Sequence, residues 1–372
     1  MKVFINTPSN FINDNKHHFS HISYKGFLKE KRSFLDFIKH GVSSSKLHAK
    51  LQSPTFINKL YLDKDPDYML YLNTFKEKYQ DFDVIVMNPG LDLVHPEFLH
   101  KHFPNSLKCL QFIDDPHLTY SYCLPFSWVF DCAIYCSPSY NENYTMSEIL
   151  NHVGLKQNKW FPHCITNTEK PKYSIDELKA QLKNRNNKVM YIGNYYTDKS
   201  IRLIETQKLI NNEINIYGRH PYFGLIHPIL STINGNFSLK RIKAINDVQR
   251  EKIYSNYSIG LNMHLSYPAR ETGNARLYEL AYRGIAQVVD SGKYSKVSTI
   301  FEPEKEILLY ENPKECVDQI RRLQNNTDLR ISIALAAYKR AIKDYSYENV
   351  ICLLYTSPSP RDRTRSRMPS SA

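Results

Sequence analysis

Apolar and polar positions along the chain fall into two rhythms. Short unbroken apolar runs alternate with stretches that place an apolar residue every three or four positions. Residues 2–6, 83–87 (DVIVM), 107–113 and 132–136 read as strands, the last three mostly apolar as in a sheet covered on both faces. Between them, Met69, Leu70, Leu72, Phe75 and Tyr79 mark a helix over 67–79. The turn Asn88-Pro89-Gly90 precedes a helix over 96–102, and residues 141–153 form a further helix closed by Gly154.

After a polar, proline-bearing crossing segment at 166–187, which carries a helix over 174–182, the alternation starts again. Strands are expected at 188–192, 214–217, 258–262 and 286–289, and helices at 198–210, after residue 274, at 314–323 and at 328–345. Strand, helix, strand at this spacing predicts two α/β domains with doubly wound parallel sheets. Their expected bounds are 1–165, with residues 10–70 unassigned, and 188–351, with 166–187 as linker.

Composition changes this picture at one end. Residues 352–372, CLLYTSPSPRDRTRSRMPSSA, replace the Lys, Asn, Ile and Tyr of the body with Ser, Pro and Arg. The string resembles a translated sequencing adapter and is set aside as a non-native tail. The formal charge is +12 over 372 residues. Four arginines against one aspartate in the tail leave +9 for the body. A basic body attracts anionic substrates and gives a basis for peripheral contact with anionic lipid. Its lysines are scattered rather than massed, which speaks against a nucleic-acid partner. No run of about 18 apolar residues and no signal-like N-terminus is present, so a cytoplasmic protein is expected. Cys132 and Cys136 lack a second pair at zinc-site spacing, and no metal site is expected. Asp63-Lys64-Asp65 and the cluster His17, His18 and His21 are read as turn and loop residues rather than metal ligands.

The candidate chemistry gathers in residues 271–284, ETGNARLYELAYRG. Glu271 and Glu279 flank a Thr-Gly-Asn turn that leads into a helix. Such a turn aims bare backbone N–H groups and a helix N-terminus at one spot, which suits phosphate. A carboxylate further along the helix suits sugar hydroxyls. Gly193 and Gly218 end strands of the second series, where ligands gather in parallel sheets. Asp114, Asp115 and His117 follow a strand of the first series, where a carboxylate or imidazole would serve as base for an acceptor hydroxyl.

The blocks YIGNYYTDKS, INIYG, REKIYSNYSIGLNMH, RLYELAYRGIAQVVD and IFEPEKEILLYENPKE, with the Tyr345-Ser346-Tyr347 end, resemble the C-terminal domain of group 1 glycosyltransferases, most of all the spore-maturation CgeB-type branch. DVIVMNPG…PEFL and DDPH resemble the first domain more loosely, and the likeness covers residues 80 to 350 approximately. The resemblance implies a GT-B architecture, two Rossmann-like domains facing across a cleft. It also implies metal-independent, retaining transfer of a sugar from a nucleotide-diphosphate sugar to a glycan, protein or small-molecule acceptor, with no cofactor. It assigns Glu279 to the ribose and Glu271 to the donor sugar. Gly273 and Asn274 would bind the diphosphate, with Lys199 or Arg202 neutralising it. The family's Gly-Phe-Gly turn is Thr272-Gly273-Asn274 here, with one glycine. The alternative is a catalytically inactive GT-B-like protein of spore coat or envelope assembly.

Overall fold

The computed structural model describes residues 2–5, 54–87, 94–112, 124–141, 143–161, 173–193, 197–211, 213–217, 247–264, 272–292 and 295–345. These form two compact α/β units, one up to Phe161 and one from residue 173 onward. Among the described residues no helix is long and apolar enough to cross a membrane.

The first unit is a five-stranded parallel sheet in the order β1-β2-β3-β4-β5. The strands are Val3–Ile5, Val84–Met87, Leu107–Phe112, Cys132–Tyr135 and Asn158–Trp160. The helices are α1 Pro54–Leu62, α2 Pro66–Tyr79, α3 Pro96–His102 and α4 Met146–His152. Aromatics hold this core: the Phe4 ring lies 4.9 Å from Phe75 and 4.6 Å from Tyr79, and all three side chains are fully buried. Helix α4 begins at Met146 rather than near 141. The Thr145 hydroxyl accepts from the Glu148 N–H while the Glu148 carboxylate accepts from the Thr145 N–H, a reciprocal cap that fixes the start. Asp65 is spent in the same way, its Oδ1 accepting from Tyr68 N–H at 3.0 Å to cap α2. No group of metal-ligating side chains occurs among the described residues.

The second unit carries β6 Asn186–Ile192, β7 Asn215–Tyr217, β8 Tyr257–Asn262, β9 Ala286–Asp290 and β10 Leu308–Tyr310. Its helices are α5 Ile175–Asn184, α6 Thr197–Leu209, α7 Asp247–Asn256, α8 Ala275–Tyr282, α9 Pro313–Asn325 and α10 Thr327–Asp344. Segment 166–187 therefore does more than connect, because α5 sends Leu178 and Leu182 into the core of this unit. The short strand β10 pairs with β9, a pairing that its three residues do not advertise in sequence.

The sheet runs β10-β9-β8-β6-β7, all parallel. The chain winds from β6 outward to β7, then returns to the other side of β6 for β8, β9 and β10. In open α/β sheets such a reversal leaves a crevice at the carboxyl ends of the two strands on either side of it, the usual place for a ligand. Here those strands are β6 and β8.

Candidate functional site

The carboxyl end of β6 is Gly193, and that of β8 runs through Asn262 and Met263 to His264. Between them the chain brings in the N-terminus of α8. Asn274 is the N-cap: its Oδ1 accepts from Leu277 N–H at 3.2 Å, while its Nδ2 donates to Asn262 Oδ1 at 3.0 Å and to the Met263 carbonyl at 3.3 Å. One side chain thus both starts the helix and ties it to the end of β8. The first N–H groups of a helix have no acceptor within it. With the Leu277 N–H capped, those of Ala275 and Arg276 are the ones presented at this end, together with the positive pole of the helix. The apolar side chains of α8, Leu277, Tyr278, Leu280 and Ala281, are buried, which fixes the direction of that pole.

Gly273 stands at φ +92°, a conformation that favours glycine. Asn274 has φ −110°, which any residue adopts. The turn therefore needs a single glycine, and a side chain in place of the family's second glycine supplies the cap.

Arg276, which the sequence reading passed over, occupies the first turn of α8. Its guanidinium packs over the Tyr191 ring, 5.3 Å from the centroid, and directly against Gly193. A β-carbon at Gly193 would lie 1.7 Å from Arg276 Nη2. Gly193 itself has φ +139° and donates its N–H to the Tyr217 carbonyl at 2.8 Å. Arg276 Nη1 is buried and has no hydrogen-bond partner among the described residues.

Arg202, on α6, donates from Nη1 to Asp290 Oδ2 at 2.7 Å and from Nη2 to the His264 carbonyl. It links α6 to the ends of β8 and β9. Asp290 also accepts from the His264 backbone N–H and lies 2.5 Å from its ring Nδ1. Burial pushes the Asp290 carboxyl up, but His264 and Arg202 outweigh it and hold the group below its ordinary value. Lys199, three residues before Arg202 on α6, is 6% exposed.

Glu279 is half-buried, farther along α8 than the N-terminal turn. Its Oε2 accepts from the Tyr254 hydroxyl at 3.0 Å. Burial, and next the Glu279 charge, raise the Tyr254 hydroxyl well above its ordinary value, so it remains a donor. Arg283 lies over the Tyr254 ring at 5.1 Å and is paired with Glu251.

The structure therefore brings Gly193, Lys199, Arg202, Gly273, Asn274 and Glu279 onto β6, α6 and α8 of one unit, and adds Arg276, His264, Asp290 and Tyr254. Glu271, Asp114, Asp115, His117 and Gly218 lie outside the described residues, as do His17, His18 and His21.

Residues 201–354 match the sequence profile of a family described as Glycosyl transferase-like. A search among curated proteins finds no match. A TarM variant of S. aureus, solved with Fondaparinux, alpha-GlcNAc-glycerol and UDP, is similar with TM-score 0.53 at 15% identity, over 78% of this chain and 58% of that one. The chain thus spans under two thirds of TarM. Sucrose-phosphate synthase from Thermosynechococcus elongatus gives 0.51 at 15% identity, over 83% of this chain and 80% of that one. Anabaena HepE, in complex with UDP and glucose, gives 0.51 at 13%, over 80% and 81%. The fold is GT-B. Both the profile and these neighbours point to glycosyltransferases, and each half of the GT-B fold is Rossmann-like, as are the two parallel sheets here.

Proposed function

We propose that the chain is a glycosyltransferase that binds a nucleotide-diphosphate sugar in its second unit and moves the sugar to an acceptor hydroxyl. The observation that carries this reading is the buried Nη1 of Arg276, without a hydrogen-bond partner among the described residues, set against Gly193 at the sheet's reversal and on the first turn of α8. A cationic donor, bare helix N–H groups and a glycine that admits close approach make a diphosphate cradle.

Negative charge builds on the diphosphate as the glycosidic bond breaks, and donors already in place stabilise it without reorganising. Arg276 and Lys199 supply positive charge to that end. In this reading side-chain cations do the neutralising and no metal is required. Glu279, held by Tyr254, accepts from the ribose hydroxyls through its remaining oxygen. Glu271 contacts the transferred sugar, and Asp115 or His117 of the first unit takes the acceptor proton. Retention of anomeric configuration and a place in the CgeB-type branch are proposed on the family resemblance alone. The UDP held by the TarM and HepE structures makes uracil the first base to try.

A thermal-shift screen of the full chain against UDP, GDP, ADP and their sugars tests the reading. At least one nucleoside diphosphate should raise the melting temperature in a concentration-dependent way. Stabilisation by none of them would overturn the donor site.

A further inference from the structure

His264 follows β8 and is 6% exposed. Its backbone N–H donates to both oxygens of Asp290, at 3.0 and 2.9 Å, and its ring Nδ1 lies 2.5 Å from Oδ1. Asp290 is held ionised by this contact and by Arg202. An ionised carboxylate only accepts, so Nδ1 carries a proton and donates it. The tautomer and the ring orientation are fixed as a result.

The opposite ring nitrogen, Nε2, is buried and has no hydrogen-bond partner among the described residues. Leaving such an atom unsatisfied in a folded chain is costly. A purely structural histidine would gain from a partner here, and the described residues provide none. What Nε2 faces is Gly273: a β-carbon at that position would lie 3.3 Å away. A side chain there would press on Nε2, so the glycine lets the ring lie close against the turn into α8. That turn leads to the helix pole and to Arg276, so the local potential favours an anionic oxygen.

We infer that His264, held by Asp290, is a ligand-binding residue whose Nε2–H donates to a phosphate oxygen of the nucleotide. The imidazole binds as the doubly protonated ring, Nδ1–H to Asp290 and Nε2–H to the phosphate, and no covalent step is involved. The inference rests on the donor-site reading and deepens it by naming the phosphate contact from the β8 side of the crevice. Among the described residues the charged groups bonded to His264 are Asp290 on β9 and Arg202 on α6. The first fixes the ring, and the second is occupied by Asp290 and the His264 carbonyl.

The test uses His264→Asn in the full chain. The Asn amide occupies the Nδ1 position and keeps a donor toward Asp290, but it has nothing at Nε2. The probe is whichever of UDP, GDP and ADP binds the wild type most tightly, measured by calorimetry. A charge-assisted hydrogen bond predicts a Kd about 10- to 100-fold higher in the variant at an unchanged melting temperature. A second measurement needs no folded variant. In wild-type protein labelled with [15N]histidine, the His264 Nε2 resonance should move on saturation with that nucleotide, while Nδ1 remains protonated. Equal affinity in His264→Asn, or a stationary Nε2 resonance at saturation, overturns the inference and leaves the donor site standing. If the wild type binds none of the three nucleotides, the donor site fails and the inference with it.

Discussion

Replacing Gly193 by alanine tests how the crevice is built. The backbone there has φ +139°, a region that costs a residue with a side chain about 1–3 kcal/mol. The new methyl would also lie 1.7 Å from Arg276 Nη2 and 2.5 Å from its Cζ, far inside van der Waals contact, so the guanidinium must leave. Its departure gives up the stacking on Tyr191, worth about 0.5–1 kcal/mol at a partly exposed site. Gly193→Ala should therefore destabilise the second unit by about 2–4 kcal/mol, read by urea unfolding. It should also weaken nucleoside-diphosphate binding. A double-mutant cycle separates the two parts. In an Arg276→Ala background the clash is absent and only backbone strain remains, so Gly193→Ala should cost about 1 kcal/mol less there. A Gly193→Ala protein as stable as wild type, or a cost identical with and without Arg276, would refute the reasoning.

Two other outcomes follow from the same contacts. Glu279→Ala should raise the Kd for the diphosphate about tenfold without unfolding the chain, since among the described residues Glu279 is hydrogen-bonded by the Tyr254 hydroxyl at Oε2 and by no other group; equal binding would remove its ribose role. In the first unit, His95 is buried with Nδ1 accepting from Glu97 N–H and Nε2 bonded to Asn58, and burial lowers its pKa to about 4. The folded ring is thus neutral while the unfolded one takes a proton near pH 6.5. Its stabilising effect is complete above about pH 6.5, is lost as pH falls toward 4, and amounts to about 2 kcal/mol after allowance for solvent screening. His95→Asn, which retains a capping side chain, should flatten that part of the stability profile, and an unchanged profile would count against the assignment.

Much of the fold is legible in the sequence where a local signal and burial agree. The helix at Pro96–His102 opens with proline at its first position, and β2 and β4 are apolar throughout. Elements without such agreement escape. Strand β5 is Asn-Lys-Trp and pairs through its backbone at the sheet edge, so no apolar run marks it. Helix α7 is mostly polar and buries little beyond Tyr254. The start of α4 was readable, because Thr145 and Glu148 stand at capping-box spacing.

The candidate site divides along the same line. Gly193, Gly273 and Asn274 stand at a strand end or helix start that local pattern reveals, and Glu279 lies one turn further along that helix. Arg276, His264 and Asp290 do not, because their roles depend on which strands become neighbours. An arginine in a first helical turn reads as solvated until β6 is placed beside α8 and Gly193 under its guanidinium. The one available clue was Asp290, a lone acid ending the buried strand AQVVD at the edge where ligands bind. Arg202 was expected at the diphosphate, and the structure spends its Nη1 and Nη2 on Asp290 and the His264 carbonyl.

The proposed place of the nucleotide diphosphate is the start of α8. Titrating UDP, GDP and ADP into 15N-labelled protein and following the backbone amides tests it most directly. Saturable shifts of Asn274, Ala275 and Arg276 are expected, with smaller effects near Gly193 and Glu279. Saturable binding that leaves those amides unmoved, or moves only residues of the first unit, would contradict it.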